Sequence, residues 1–352
     1  MSKDFLTSIN LLCEEKGLSV EYILEALEQG LIKAYKKDSG GSENVKVDID
    51  MKKGTIKLYA QKEVVEPENL INQSHQISLD DAKKIKKTYQ IGDTVNIEVT
   101  PKDFGRVAAQ TAKQVIFERF RTAEKNNTFN EFYDKKGELI SGIIQKVDDV
   151  SIIVDLGKLE GILPVTELIK NEEYHVNDKI KAYIVDIRKN AKDVPEAILS
   201  RTNPGFIKRL FEIEIPEIYE GLIEIKSVSR DAGSRTKIAV YSKDENIDPV
   251  GSCVGMKGIR IESILKEING EKIDIVEWSE NPAQFIAAAL SPAQVIAVDV
   301  DVDEKTSTVV VPDDQLSLAI GKEGQNVRLA AKLVNWKIDI KTETQIREQI
   351  LE

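Results

Sequence analysis

A repeat in the second half of the chain constrains its fold more than any other feature. Gly255-Met256-Lys257-Gly258 and Gly321-Lys322-Glu323-Gly324 both read Gly-x-x-Gly, and the second lies 66 positions after the first (255 to 321, 258 to 324). The flanks repeat as well. Ahead of each loop stand two β-like runs, Leu222 to Val228 with Lys237 to Tyr241 and Val295 to Val302 with Ser307 to Val311, and then a short helical stretch. Behind each stands an amphipathic helix and one more strand, Ile259 to Ile268 with Lys272 to Val276 and Gln325 to Val334 with Lys337 to Ile340. A lone Gly-x-x-Gly marks a turn or a helix cap in most chains. Two copies in one element order specify a module built twice.

The order helix, strand, strand, helix, Gly-x-x-Gly, helix, strand is the bacterial-type (type II) KH topology, a module for single-stranded RNA. Its chemistry follows from the glycines. Without Cβ atoms the backbone comes close to a phosphate and positive φ is accessible, and the next helix turns free N–H groups and its positive end toward the anion. Candidate RNA contacts are therefore Gly255, Met256, Lys257, Gly258 and Arg260 in the first module and Gly321, Lys322, Glu323, Gly324, Gln325, Asn326 and Arg328 in the second. Lys257, Lys322, Arg260 and Arg328 supply charge-assisted contacts, and Gln325 and Asn326 are expected to hydrogen-bond bases or sugars. The stretch Arg230 to Lys237 holds one acidic residue, Asp231, and with Lys226 and Lys243 reads as a phosphate strip built on Arg230, Arg235 and Lys237. The first module should then attract by charge and the second read by hydrogen bonds.

Upstream, Lys3 to Glu15 and Val20 to Lys37 carry helical patterns, with Ser19 placed to cap the second. Val45 to Asp50 and Thr55 to Ala60 suggest a hairpin turning at Lys52-Lys53-Gly54, and Val95 to Val99 a third strand. A long helix is expected from Phe104 to Phe132. Five short strands between Leu139 and Ser200 suggest an OB-type barrel. Aromatic residues for base stacking are absent from Leu139 to Leu163, which leaves Tyr174 and Tyr183 as candidates and Arg188 and Arg201 as phosphate contacts. Asn203 to Gly221, with Pro204 and Pro216, contains a helix that opens the first KH module or links to it.

A net charge of -11 argues against a nucleic-acid binder if spread evenly, so RNA affinity requires local basic surface. No Gly-x-x-x-x-Gly-Lys-Ser/Thr, His-Glu-x-x-His or Cys-x-x-Cys occurs. Asp299, Asp301 and Asp303 imitate the start of a calcium loop, but positions six and twelve hold Glu304 and Val310 instead of Gly and Glu. They read as the acidic face of a strand. His75 and His175 read as surface residues, and Cys13 and Cys253 as separate, buried, reduced thiols. No enzyme, cofactor or metal site is expected. Neither a leader segment nor a membrane helix is legible, which points to a cytoplasmic protein.

Several strings resemble the NusA family of bacterial transcription elongation and termination factors. They are Asp103-Phe104-Gly105-Arg106-Val107-Ala108-Ala109-Gln110-Thr111-Ala112-Lys113-Gln114, Arg230 to Val240, Ile247-Asp248-Pro249-Val250-Gly251, Asn281-Pro282-Ala283-Gln284-Phe285, and Ala319 to Ala330. The resemblance implies a multidomain α+β chain. An N-terminal α/β domain that binds RNA polymerase would cover 1–130 and end in a long connecting helix. An S1 (OB-fold) β-barrel would cover 131–201, and two tandem type II KH domains 202–280 and 281–352. It also implies nascent single-stranded RNA as ligand, other transcription factors as further partners, and a monomer that modulates pausing, intrinsic termination and antitermination. By the same resemblance Lys36, Lys37 and Arg106 face polymerase or exiting RNA, and Arg201 closes the S1 domain. The alternatives are a general S1/KH RNA chaperone and an RNA-processing or ribosome-associated protein.

Overall fold

The computed structural model describes residues 13–14, 19–39, 44–50, 55–101 and 104–351. Apart from Cys13 and Glu14, the first expected helix lies outside the described residues, as does the turn at Lys52-Lys53-Gly54. Two compact units divide the chain, Met1–Asn127 and Thr128–Glu352.

In the first unit, helix α1 (Val20–Ser39) starts where Ser19 Oγ accepts the Tyr22 N–H at 3.2 Å. Strand β2 (Thr55–Val65) is the centre of the sheet: β1 (Val45–Asp50) and β4 (Thr94–Glu98) pair with it antiparallel and β3 (Gln76–Ser78) parallel. Helix α2 (Leu79–Ile85) follows β3, with Ser78 Oγ accepting the Asp81 N–H. Neither β3 nor α2 is expected from the sequence, because three strand residues and two helical turns carry too little periodicity to read. Helix α3 (Phe104–Tyr133) matches its expected length. Ile23, Leu27 and Leu31, four apart on α1, form the core with Val47, Leu58, Ile116 and Phe120.

The second unit begins with a closed barrel of β5 (Leu139–Val147), β6 (Ser151–Asp155), β7 (Glu160–Pro164), β8 (Lys179–Lys189) and β9 (Pro195–Ser200), in the order β5-β6-β7-β9-β8. Alternate residues such as Ile152 and Val154, or Ile180, Ala182 and Ile184, fill its interior.

Two modules of one topology follow. The first comprises α4 (Pro204–Glu214), α5 (Pro216–Tyr219), β10 (Ile223–Asp231), β11 (Arg235–Ser242), α6 (Pro249–Val254), α7 (Ile259–Glu267) and β12 (Lys272–Glu277). The second comprises α8 (Pro282–Ala289), β13 (Ala297–Asp301), β14 (Thr306–Val311), α9 (Leu316–Ile320), α10 (Gln325–Val334) and β15 (Lys337–Thr342), and ends in an unexpected helix, α11 (Glu343–Leu351). In each sheet the middle strand, β11 or β14, is antiparallel to the first and parallel to the third. Proline at the first turn and an Asx cap start three of the helices: Asn203 Oδ1 accepts Gly205 N–H, Asp248 Oδ1 accepts Val250 and Gly251 N–H, and Asn281 Oδ1 accepts Ala283 N–H. Along β13, Asp299 and Asp301 are exposed while Val298 and Val300 turn toward the core.

The first module has a core of its own around Phe206, Phe211, Ile238 and Ile264, but the core of the second extends into it. Ala239 and Val276 of the first sheet are buried in one cluster with Phe285, Ile286, Ala330 and Leu333 of the second module, and α10 lies over β10 and β11. The spacing of the two loops is therefore fixed by packing.

Candidate nucleic-acid interface

Each loop is a single tight turn between two helices, and the two turns have one backbone shape. Gly255 adopts φ 75°, ψ 170° and Gly321 φ 76°, ψ 172°; Lys257 and Glu323 sit at φ 54° and 53°; Gly258 and Gly324 close the turns at φ 78° and 72°. The glycines of a pair have different jobs. A Cβ on Gly255 would lie 2.9 Å from Arg260 Cγ, and one on Gly321 2.8 Å from both the backbone nitrogen and Cβ of Asn326. At Gly324 nothing lies within 4 Å, and at Gly258 the nearest atom is 3.8 Å away. The first glycine is thus required by packing. The last faces open space, where only its positive φ and an approaching ligand restrict it.

Neither α7 nor α10 receives a side-chain cap, which leaves first-turn amides available to an anion. Met256, Lys257 and Ile259 are exposed at the first loop. Met256 and Ile259 border a groove of about 530 Å³ lined also by Asp248, Ser252 and Arg260. Lys322, Glu323 and Arg328 are exposed at the second loop, where Arg328 donates to Glu323 O at 3.2 Å.

Other residues expected to contact RNA are engaged within the protein, and for those that are buried, Asn326, Lys237, Arg230 and Arg201, the structure corrects the expectation. Asn326 is 2% exposed and donates to Leu290 O and Ala319 O at 3.0 and 3.1 Å. Gln325 Nε2 is held by Asp231 Oδ2 at 2.6 Å and Ser234 Oγ at 2.7 Å in the first module. Arg260 donates to Glu217 Oε2 at 2.9 Å and Ser252 O at 2.7 Å. The strip from Arg230 to Lys237 is not a strip. Arg235 forms a two-pronged pair with Asp274 at 2.7 and 3.0 Å, and Lys237, fully buried, donates to the same carboxylate at 2.9 Å and to Ser291 O of the second module at 2.7 Å. Burial pushes the Lys237 ammonium below its usual range against the pull of Asp274. Burial also pushes the Asp274 carboxyl up, but the bonds from Arg235 and the charge of Lys237 outweigh it and hold it below the usual carboxylate range.

Arg230 and Arg201 are fasteners between the barrel and the first KH module. The side chains of Arg230 and Glu271 are both fully buried; the guanidinium meets the carboxylate at 2.9 Å and donates to the carbonyls of Arg201 and Asn203 at 2.6 and 3.2 Å. Arg201, 4% exposed, spans Glu172 (2.6 Å) and Lys181 O (2.6 Å) in the barrel and Glu267 O (2.9 Å) in the module. Phe206 lies 5.0 and 5.5 Å from the two guanidinium carbons. Both charges are satisfied internally, so neither reaches phosphate. Arg188 pairs with Glu196 at 2.7 Å. Tyr174 joins the barrel core and donates to Glu172, and Tyr183 packs in the core of the first KH module, under Gly205.

The residues missed by sequence reasoning are the acceptors Glu172, Glu217, Glu267, Glu271 and Asp274. Their one signal is the pair of carboxylates, Glu271 and Asp274, at the start of β12, the strand that lies beside the basic end of β11. In the first unit Lys36, Lys37 and Arg106 are exposed. Among the described residues no group of His, Cys, Asp and Glu forms a metal site, and no helix is long and apolar enough to cross a membrane.

Comparison with known proteins places these elements. Family models match as the NusA N-terminal domain over residues 4–126, the S1 RNA binding domain over 133–201, the NusA-like first KH domain over 201–278 and the NusA-like second KH domain over 282–348. The chain is 51% identical to the transcription termination/antitermination protein NusA of Halalkalibacterium halodurans over 99% of its own length and 90% of the relative's. It is 52% identical to that of Bacillus subtilis, over 99% and 93%, and 39% identical to that of Thermus thermophilus, over 96% and 89%. With the closed barrel and the two Gly-x-x-Gly modules in this order, the chain belongs to the NusA family of transcription termination/antitermination proteins.

Proposed function

We propose that the chain holds emerging single-stranded RNA across both Gly-x-x-Gly loops while residues 1–130 engage RNA polymerase, and that it acts by binding without chemistry. The S1 barrel (131–201) and the KH domains (202–280 and 281–352) form the RNA-holding part, and the protein works as a cytoplasmic monomer. RNA contact is assigned to Gly255 through Gly258, Gly321 through Gly324, and Arg328. Lys36, Lys37 and Arg106 are assigned to the polymerase or exiting RNA. A chain anchored at both ends favours or disfavours a hairpin at the exit channel, and so shifts pausing, intrinsic termination and antitermination.

The observation that carries this is the pair of last glycines. Gly258 and Gly324 both face open space at the start of an uncapped helix, which is the approach a phosphate needs. The double variant Gly258→Asp/Gly324→Asp should lose RNA binding while still co-purifying with core RNA polymerase. Unchanged RNA affinity would move recognition elsewhere. Charge reversal at Lys36, Lys37 and Arg106 should do the opposite, weakening polymerase capture with RNA affinity kept.

A further inference from the structure

We infer that Arg260 and Asn326 are positioning residues that set the shape of the two Gly-x-x-Gly loops, an assignment that rests on the RNA-binding function proposed above. The 66-residue offset places Arg260 on Asn326 and Ser252 on Leu318. The side chains differ, but their bonds correspond. Arg260 Nη1 donates to Ser252 O at 2.7 Å, and Asn326 Nδ2 donates to Leu318 O at 3.4 Å and Ala319 O at 3.1 Å, in each case the last turn of the helix before the loop. Each has a second arm to the helical segment that opens its module. Arg260 reaches Glu217 on α5 at 2.9 Å, and Asn326 reaches Leu290 O at the end of α8 at 3.0 Å.

One side chain therefore ties three elements together in each module: the opening helical segment, the helix before the loop and the helix after it. The first glycine closes around this tie. A Cβ there would strike Arg260 or Asn326, so loop shape and tie are a single packed unit. Only a donor is needed for the task, since Asn326 Oδ1 is buried without a partner. Arginine and asparagine share little else than N–H groups, which is how two such different residues fill one position.

The test is fluorescence anisotropy of the full chain with a labelled mixed-sequence single-stranded RNA, titrated with salt. Arg260→Ala should bind about tenfold more weakly, equivalent to about 1.4 kcal/mol, with the slope of log affinity against log salt unchanged. Arg260→Gln keeps an N–H donor without the charge and should recover to within about threefold of wild type. Asn326→Leu, which removes the donor and keeps the branching of the side chain, should match Arg260→Ala. The assignment is overturned if Arg260→Gln is as weak as Arg260→Ala, or if the slope in either becomes shallower by about 0.7, the value of one lost phosphate contact on a single strand. Should Arg260→Ala melt below the assay temperature, Arg260→Gln decides alone. Wild-type protein that binds no RNA would instead refute the RNA-binding function itself.

Discussion

Replacing Arg230 by methionine separates an internal fastener from an RNA contact. The guanidinium is fully buried against a fully buried Glu271, with N–H to oxygen distances of 2.9 and 3.0 Å, and it also satisfies two carbonyls. Arg230→Met takes the guanidinium donor from both carbonyls, of which Asn203 O keeps the Phe206 N–H at 3.0 Å, and leaves a carboxylate with no cation, supported by Gly233 N–H at 2.8 Å and Thr236 Oγ1 at 2.5 Å. Removing one partner of a buried pair costs about 3–5 kcal/mol. For a unit the size of Thr128–Glu352, each kcal/mol moves the midpoint by about 2–4 °C, so thermal melting should fall by roughly 6–20 °C. Adding Glu271→Leu to the same chain removes the stranded charge and should restore part of the loss, because an apolar replacement of a buried pair is often neutral. Below its melting temperature, Arg230→Met should bind single-stranded RNA as wild type does. A variant that melts within about 2 °C of wild type yet binds RNA more weakly would refute the fastener and restore the phosphate contact.

Gly321→Ala should destabilise the fold, since its Cβ meets the backbone nitrogen of Asn326 at 2.8 Å, while Gly324→Ala, with nothing within 4 Å, should cost only about 1 kcal/mol of left-handed strain; paired melts check this, and equal losses would contradict the division of labour. The Asp274 carboxyl is held below its unfolded range, so its stabilisation is complete above the ordinary carboxylate range and disappears as pH falls through the folded value. Asp274→Asn should therefore be less stable at neutral pH and lose less on acidification, and parallel stability-versus-pH curves would be inconsistent with that. Burial pushes the Cys253 thiol up to about 12, so it should label with Ellman's reagent only on unfolding; rapid labelling in native buffer would show the helix before the first loop to be open. With Lys257, Lys322 and Arg328 as the exposed cations at the loops, the salt slope of RNA binding should be about -2, and a slope of about -5 or steeper would reveal a further phosphate track.

The repeat is legible because the Gly-x-x-Gly spacing and the alternation of strands survive in sequence whatever packs against them. The barrel strands are legible for the same reason, from period-two alternation such as Ile180, Ala182 and Ile184. The fate of the cations is not. Arg230 meets Glu271 across 41 residues and Arg201 meets Glu267 across 66. Such pairs exist only once β10, β11 and β12 have taken their register and the barrel has docked on the module. A run of basic residues reads alike whether it faces solvent or a carboxylate, and Arg235 and Lys237 share Asp274 on the neighbouring strand. Asn326 escapes by the same limit: its type suggests base recognition, but its position on α10 points it into the core.

That internal use of charge recasts the acidic balance of the chain. Arg201, Arg230, Arg235, Lys237 and Arg260 are each bonded to a carboxylate, so much of the cationic side-chain chemistry around the first KH module fixes the barrel, the two modules and their loops relative to one another. Electrostatic attraction to phosphate is independent of sequence and draws a protein to any nucleic acid. Turning these cations inward reduces that indiscriminate part. What remains for the proposed RNA face is two loops of matching backbone shape, held at a fixed distance by a shared core, with a small number of exposed charges beside them. Under the proposed function, recognition would depend on whether a strand can present its phosphates at both loops together, a geometric demand that single-stranded RNA can meet and a stiff duplex cannot.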